Sequence, residues 1–303
     1  MTEPCGVLIV NKHLGVTSHD VVGKIRRLYG TKRVGHTGTL DPMASGVLVV
    51  LIGRAAKAAE YLVSEQKRYC ATLRLGLTTD TEDTTGQILT ECDSLPSREA
   101  VMKVCGTFVG SLEQVPPMYS ALKVGGKKLC DLARQGVEIE RKPRPITVYS
   151  LECTPTDSPA EYLLDVHCSS GTYIRTLCAD IGKALGCGGA MASLVRMETE
   201  RFSLDRAYTV SALEEMTDQE RAACLIPTES LFDSLPSVSL PAFYEKLCRS
   251  GCEIYQKKIK TDHAVGQKVR LSTAQGNFFA IGEVRDYPGG SAIKALKLFD
   301  LGE

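Results

Sequence analysis

Apolar positions along the chain follow two periods, and the switches between them mark the expected elements. Residues 6–10 (GVLIV) and 47–52 are continuously aliphatic. Both lengths suit buried strands and are far too short to cross a bilayer. Between them Val21, Val22, Ile25 and Leu28 recur at helical spacing, with Ser18 as the expected cap and Gly30 as the stop. Residues 33–46 (RVGHTGTLDPMASG), with three glycines and an Asp-Pro step, predict a loop. Residues 54–64 are helical in pattern. Residues 68–76 alternate as a strand, with Tyr69, Ala71, Leu73 and Leu75 on one face. Ser97 is expected to open a helix over 100–108, and 162–168 alternate again. Ser169-Ser170-Gly171-Thr172 then introduces a helix with Ile174, Leu177, Ile181 and Leu185 inward, stopped at Gly186. Ser211 and Glu214 have the spacing of a capping box for one more helix.

The 303 residues, 43% hydrophobic and 24% charged, suit a soluble globular chain of about two domains that needs no disulfide or metal staple. Residues 119–150 read as an excursion: a Gly125-Gly126 hairpin turn, a short helix ending at Gly136, and the basic run RKPRP. Residues 233–241 (DSLPSVSLP) are the best linker, and the C-terminal segment beyond them is short, strand-rich and basic. The N-terminus lacks a basic start and a long apolar stretch, so no signal peptide is expected and the expected location is cytoplasmic. The twelve cysteines form no C-x-x-C pair, and Cys248, Cys252 and His263 lack a fourth ligand, so reduced thiols and no metal are expected. No P-loop, G-x-G-x-x-G or H-E-x-x-H motif occurs.

Basic and acidic side chains number 36 each, a balance that by itself argues against a nucleic-acid binder. Their distribution argues the other way. Lys24, Arg26, Arg27, Lys32 and Arg33 fall in a stretch without an acid, and residues 123–144 gather seven basic side chains against three acidic ones. Acid collects at Asp80, Glu82, Asp83, Glu91 and Asp93, and again over 198–233. Any one cluster reads as solvated surface. Together, the basic ones at glycine-punctuated loops point to a polyanionic ligand.

Candidate chemistry gathers at residues 35–46 (GHTGTLDPMASG). Pro42 pushes Asp41 towards extended backbone, and the glycines permit a tight loop with its backbone close to a ligand. Asp41 is then a carboxylate displayed on a constrained loop that leads into a core strand. Asp-Pro in a glycine-rich loop is also an ordinary turn, so the pattern alone leaves both readings open.

Three stretches, GHTGTLDPMASGVL at 35–48, KRYCATLRLG at 67–76 and CSSGTYIRTLCADIG at 168–182, together resemble the main motifs of the bacterial TruB family, the tRNA pseudouridine-55 synthases. VPPMYSALKVGGKKLCDLARQG at 115–136 and RPITVYS at 144–150 are similar to that family's RNA-gripping insertion. The resemblance runs in order through residues 6–230, and the tail from about 240 resembles, more weakly, the family's PUA RNA-binding domain. It implies an α+β protein of two domains. The first, 1–235, would be catalytic, with a central mixed or antiparallel sheet, flanking helices and the insertion at 119–150; the second, 240–303, would be PUA-like and β-rich. It also implies isomerisation of the uridine at position 55 in the T-loop of tRNA after the base is flipped out. The partner would be the tRNA T-arm stem-loop, with no cofactor and no obligate protein partner, the chain acting as a monomer.

Residue by residue, Asp41 matches the family nucleophile, Arg175 the arginine that pairs with it, and Tyr69 the tyrosine that stacks on the target base and could take its C5 proton. His36, Tyr173 and Leu194 match substrate-contacting positions. Lys12 and Arg196 stand where this sequence departs from the usual Lys-Pro and Arg-Arg pairs. Lys12 is expected to meet substrate, and Arg196, with Lys127, Lys128, Arg141 and Lys142, the RNA backbone. Competing readings are a family member directed by a separate guide RNA, a tRNA-folding chaperone in which binding is the main role, and an aspartate-nucleophile hydrolase of small sugars. The basic insertion argues against the first, the Asp41, Tyr69 and Arg175 set against the second, and the basic segments against the third.

Overall fold

The computed structural model describes residues 3–61, 66–120, 122–199 and 201–299. Strand β1 (Gly6–Lys12) leads into helix α1 (Ser18–Leu28), whose Val21, Val22 and Ile25 pack with Leu8 and Val10. The cap of α1 is Thr17, one residue before the expected Ser18. Thr17 Oγ1 accepts from the Asp20 N–H, and Asp20 accepts in return from the Thr17 N–H. Strand β2 (Val34–Thr37) occupies the start of the stretch expected to be loop, because it pairs with the second half of β3 (Ala44–Ile52). Only residues 38–43 remain irregular. The helix expected over 54–64 is a run of tighter 3-10 turns, Gly53–Glu60, with Ala55 and Ala58 buried against the sheet; residues 62–65 lie outside the described residues.

Strand β4 (Gln66–Leu75) shows the expected alternation, burying Tyr69, Ala71, Leu73 and Leu75. The hairpin of β5 (Leu77–Thr79) and β6 (Ile88–Glu91), helix α2 (Arg98–Gly106) capped by Ser97, and β7 (Gly110–Gln114) come next. The excursion is a hairpin of β8 (Lys123–Val124) and β9 (Lys127–Lys128) across Gly125-Gly126, both at positive φ, and then α3 (Leu129–Ala133). It closes sooner than expected. From Arg144 the chain is already β10 (Arg144–Pro155), paired with β7, so RPITVYS belongs to the sheet. Strand β11 (Glu161–Ser169), helix α4 (Ile174–Leu185) ended by left-handed Gly186, and β12 (Gly189–Thr199) continue it. Short β13 (Phe202–Ser203), β14 (Tyr208–Thr209), α5 (Val210–Glu215) and α6 (Asp218–Ala223) complete this unit. Thr209, not Ser211, caps α5, and the capping box falls on α6, between Thr217 and Glu220.

The main sheet has the order β14-β1-β3-β12-β4-β11-β10-β7, with β2 attached to β3 and β13 to β12. It is mixed: β12 runs parallel to β3 and antiparallel to β4. Strand β3 shares one edge between two partners, its residues 44–46 pairing with β12 and 49–52 with β2. The ladder therefore opens around Val47, and loop 38–43 bridges from one partner to the other. Helices α2 and α4 cover β4 and β10 to β12, and α1 and α5 cover β1 and β3.

After the 3-10 turn Thr228–Phe232, the chain builds a second sheet. Strand β15 (Ser237–Leu240), helix α7 (Ala242–Arg249), β16 (Ile254–Tyr255), helix α8 (Gln256–Ile259), β17 (Lys268–Thr273), β18 (Phe278–Tyr287) and β19 (Gly290–Leu298) make this unit, in the order β15-β17-β18-β19-β16. Much of the expected linker is thus edge strand β15, and residues 233–236 make the connection. The units share a core: the Phe232, Phe278 and Phe299 rings meet one another at centroid distances of 5.4 to 5.9 Å and pack with Val7, Val47 and Leu51 of the main sheet. The architecture is α+β, a helix-flanked mixed sheet with a small β-rich unit, as expected. All twelve cysteines are free thiols. Among the described residues no group of three or more His, Cys, Asp or Glu side chains could hold a metal, and no helix is long and apolar enough to cross a membrane.

Candidate active site

Loop 38–43 carries Asp41 and is held from three directions. Ser18, released from capping, donates its hydroxyl to the Leu40 carbonyl at 3.1 Å and accepts from the Leu40 N–H at 2.9 Å. Lys12 Nζ, at the buried end of β1, donates to the carbonyls of Val16 at 2.7 Å, His13 at 3.1 Å and Pro42 at 3.5 Å. Arg196 plugs the opening in the ladder. Its Nε donates to the Val47 carbonyl at 2.7 Å and its Nη2 to the Gly38 carbonyl at 2.8 Å. Lys12 and Arg196 therefore do not present charge to a ligand as the sequence suggested. Both are enclosed, Lys12 donating to loop carbonyls and Arg196 to the carbonyls of Val47 in β3 and Gly38 in the loop. Burial lowers the Lys12 ammonium to about 8, with Asp41 opposing the shift and Arg196 adding to it.

The Asp41 carboxylate, 42% exposed, receives Arg175 Nη2 at 2.9 Å. Arg175 stands in the first turn of α4 and is 6% exposed. It also donates to the carbonyls of Thr81 at 3.1 Å and Tyr119 at 2.7 Å, and its Nη1 lies 3.9 Å from Asp83 Oδ2. A guanidinium so surrounded has one position available to it. Helix α4 is seated just as closely, since a Cβ on Gly182 would stand 2.1 Å from the Gly189 nitrogen.

Residues 79–85 (TDTEDTT), which read as an acidic surface, supply the underside of this arrangement. Asp83 is buried, its Oδ1 accepting from Thr81 Oγ1 at 2.9 Å, the Thr85 N–H at 3.0 Å and Thr85 Oγ1 at 2.6 Å. Glu82 takes a left-handed φ of 62° and accepts the Thr176 hydroxyl at 2.5 Å, while burial raises its carboxyl. The available signal was the interleaving of threonines with acids, which closes local side-chain turns instead of a solvated face.

Two adjoining hollows meet at Asp41. The smaller, about 220 Å³, is walled by Tyr69, Tyr173, Arg175, Leu194 and Lys67, the last missed in the sequence. The larger, about 580 Å³, includes His36, Asp83, Ser120 and the α3 residues Cys130 and Asp131. Burial raises the Tyr69 phenol, with the Arg196 guanidinium beside it working in the opposite direction. Burial likewise raises Tyr173, whose backbone is clamped by Gln114: Nε2 donates to its carbonyl at 3.0 Å and Oε1 accepts from its N–H at 2.8 Å. Leu194 lies opposite Ala44 and Ala71 as an apolar wall. His36 is half-buried with Nδ1 enclosed and without a partner, and burial lowers its pKa, so the ring is neutral at neutral pH. Asp41, Tyr69, Tyr173, Arg175 and Leu194 thus converge on one hollow from the loop, β4, α4 and β12.

The remaining expected RNA contacts divide. Lys127 and Lys142 are exposed, while the side chain of Lys128 lies outside the described residues. Arg141 instead braces the base of the excursion, donating to the Pro116 carbonyl at 3.2 Å and pairing with Glu138 at 3.2 Å.

Comparison with known proteins gives consistent findings. A family model described as TruB family pseudouridylate synthase (N terminal domain) matches residues 26–174, and one described as tRNA pseudouridylate synthase B C-terminal domain matches residues 175–233. The tRNA pseudouridine synthase B of Syntrophotalea carbinolica is 48% identical over 236 residues, covering 78% of this chain and 77% of its own. That of Alkaliphilus oremlandii is 42% identical over 283 residues, 93% of each chain. Among solved structures, a chain from the crystal structure of a Cbf5-Nop10-Gar1 complex superposes with a TM-score of 0.72 at 25% identity, over 97% of this chain and 85% of that one.

Proposed function

The chain belongs to the TruB family of pseudouridylate synthases, and from that premise we propose that it isomerises a uridine of tRNA to pseudouridine with Asp41 as nucleophile. One observation carries the residue assignment: a half-exposed carboxylate held at 2.9 Å by a buried arginine, opening on a hollow walled by two phenols and a leucine. The reaction breaks the bond from the sugar to N1, turns the base and rejoins it through C5. C5 gives up its proton and N1 takes one up, so substrate and product are isomers. An ionised carboxylate suits the task of holding one fragment while the base turns. Attack on the sugar carbon follows the logic of a retaining glycosidase; attack on C6 of the base uses the same group.

Arg175 keeps Asp41 aimed. Tyr69 offers its ring for stacking; burial raises its phenol, so it takes the C5 proton only as the phenolate, a form that the Arg196 guanidinium beside it favours. His36, neutral, is placed to stack under the flipped nucleotide from the larger hollow. We assign the target as the uridine at position 55, with the T-arm recognised through shape and extruded bases. Residues 1–235 act as the catalytic domain, the excursion after residue 118 grips the RNA with Lys127 and Lys142, and the sheet from β15 onward is a PUA-like RNA-binding domain, all in one monomer. The chaperone reading is not favoured, because the relatives are named for synthase activity and the Asp41–Arg175 pair is intact.

The test is to incubate the purified protein with an unmodified tRNA transcript and map pseudouridine by carbodiimide adducts and primer extension. One new signal at the T-loop uridine is expected. A signal elsewhere overturns the T-arm assignment, and no signal in any tRNA overturns the proposed activity.

A further inference from the structure

Ser120 stands where the excursion leaves the sheet, on a wall common to both hollows, with Asp41 and Arg175. It is 5% exposed, and its Oγ is sealed from solvent without a hydrogen bond of ordinary geometry, although the Tyr173 phenol lies beside it. Its backbone is fully used by the fold: the N–H donates to the Met118 carbonyl at 2.9 Å, and the carbonyl accepts from the Cys130 N–H at 3.0 Å. The preceding carbonyl, of Tyr119, is fixed by Arg175 at 2.7 Å. The residue is therefore rigidly placed on the wall of the hollow, and its hydroxyl has the Tyr173 phenol beside it but no hydrogen bond of ordinary geometry. Leaving a buried hydroxyl unpartnered is destabilising, and each such group calls for an explanation.

A flipped uracil brings a matching need. Its O2–N3–O4 edge is acceptor, donor and acceptor, and it loses its partners when the base leaves its stack. Resting on the reading that uridine is the substrate, we propose that the Ser120 hydroxyl hydrogen-bonds this edge and sets the orientation of the base in the hollow. The base's own symmetry supports the assignment. Turning uracil about its N3–C6 axis exchanges N1 with C5, which is the isomerisation, and also exchanges O2 with O4. A hydroxyl that donates to one carbonyl before the turn meets the other carbonyl in the same place afterwards. One residue can therefore steady both ends of the rotation, and a hydroxyl also accepts from N3–H where the register requires it.

A chemical double-mutant cycle tests this. Single-turnover rates are measured for wild type and Ser120→Ala on T-arm stem-loops carrying uridine, 2-thiouridine or 4-thiouridine at the target, since sulfur is the poorer acceptor. Loss of about tenfold is expected for Ser120→Ala on uridine. The loss should shrink to less than about threefold on at least one thio-substituted RNA, where the bond is already weakened. Ser120→Thr, which keeps the hydroxyl, should retain most of the wild-type rate. Equal losses on all three RNAs, or no loss on uridine, overturn the assignment. If Ser120→Ala does not fold, Ser120→Cys, similar in size with a weak donor, enters the same cycle under the same criteria. Wild-type turnover of the uridine RNA reports separately on the proposed activity, so failure of one is not mistaken for failure of the other.

Discussion

Arg175 faces two carboxylates and two carbonyls from a position 6% exposed, so its removal strands Asp83 as well as Asp41. Losing one partner of a fully buried pair costs about 3–5 kcal/mol; Asp41 is 42% exposed and Asp83 keeps its threonine hydrogen bonds, so the cost here falls below that range. Arg175→Met should therefore lower the melting temperature and reduce single-turnover rates by about 100-fold or more. Arg175→Lys, which keeps the charge without the planar fork, should regain more stability than rate. Near-normal turnover by the Met variant would contradict the aiming role. Lys12 gives a pH test. Its folded-state value of about 8 lies below its ordinary 10.5, so the folded chain binds fewer protons between those values and stability rises with pH across them. The contribution is complete above 10.5 and is lost as pH falls through 8, about 3 kcal/mol at most. In urea melts at about pH 7 and about pH 9.5, wild type should gain on Lys12→Met at the higher pH; a constant difference excludes the shift. The pairing of Asp41 with Arg175 at 2.9 Å was expected through the family resemblance alone, since Asp-Pro in a glycine-rich loop reads equally as a turn. Asp83 and Ser120 were not legible in the sequence, because what gives them meaning, Arg175, lies on a helix that only the fold brings beside them.

At the scale of elements, α4 carries Arg175 and must lie flat on β12 to place it. Gly182→Ala drives a Cβ to within 2.1 Å of backbone at Gly189, so the helix has to lift. Melting temperature and turnover should fall together. Gly186→Ala, at the left-handed end of the same helix with open space around it, should cost only about 1 kcal/mol and leave turnover near normal. Equal effects of the two changes on turnover would show that seating α4 on β12 is not what positions Arg175. Periodicity found α1, β4, β11 and α4, whose burial patterns are complete within each element. It missed β2, which is a strand only because β3 offers the second half of its edge, and β15, which is a strand only because β17 lies beside it. Caps slipped by one or two residues because Ser18 and Ser211 compete with adjacent threonines, and backbone geometry chose Thr17 and Thr209.

Across the whole molecule, zero net charge conceals basic and acidic clusters separated along the chain, which composition hides and residue order shows. How firmly the two units are joined was legible in neither. Phe232, Phe278 and Phe299 form one core with Val7 and Leu51, and Arg270 ties the second sheet to Glu229 and Asp233, so deleting the C-terminal unit would expose apolar surface whatever it does to RNA binding. Charge reversal is the cleaner probe. Lys127→Glu on the excursion should weaken tRNA binding and flatten its log–log salt dependence by about 0.7 to 0.9, with single-turnover rates at saturating RNA largely kept. An unchanged slope would make Lys127 part of a solvated face. The central claim, that Asp41 drives isomerisation of uridine in tRNA, is tested most directly by tritium release. Forming the new bond at C5 expels the hydrogen there, so a tRNA transcript made with 5-tritiated uridine releases label only as pseudouridine forms. Wild type should release the label of one uridine per tRNA, and Asp41→Asn should release none while still binding the same tRNA. Turnover by the Asn variant, or no release by wild type, would contradict the account.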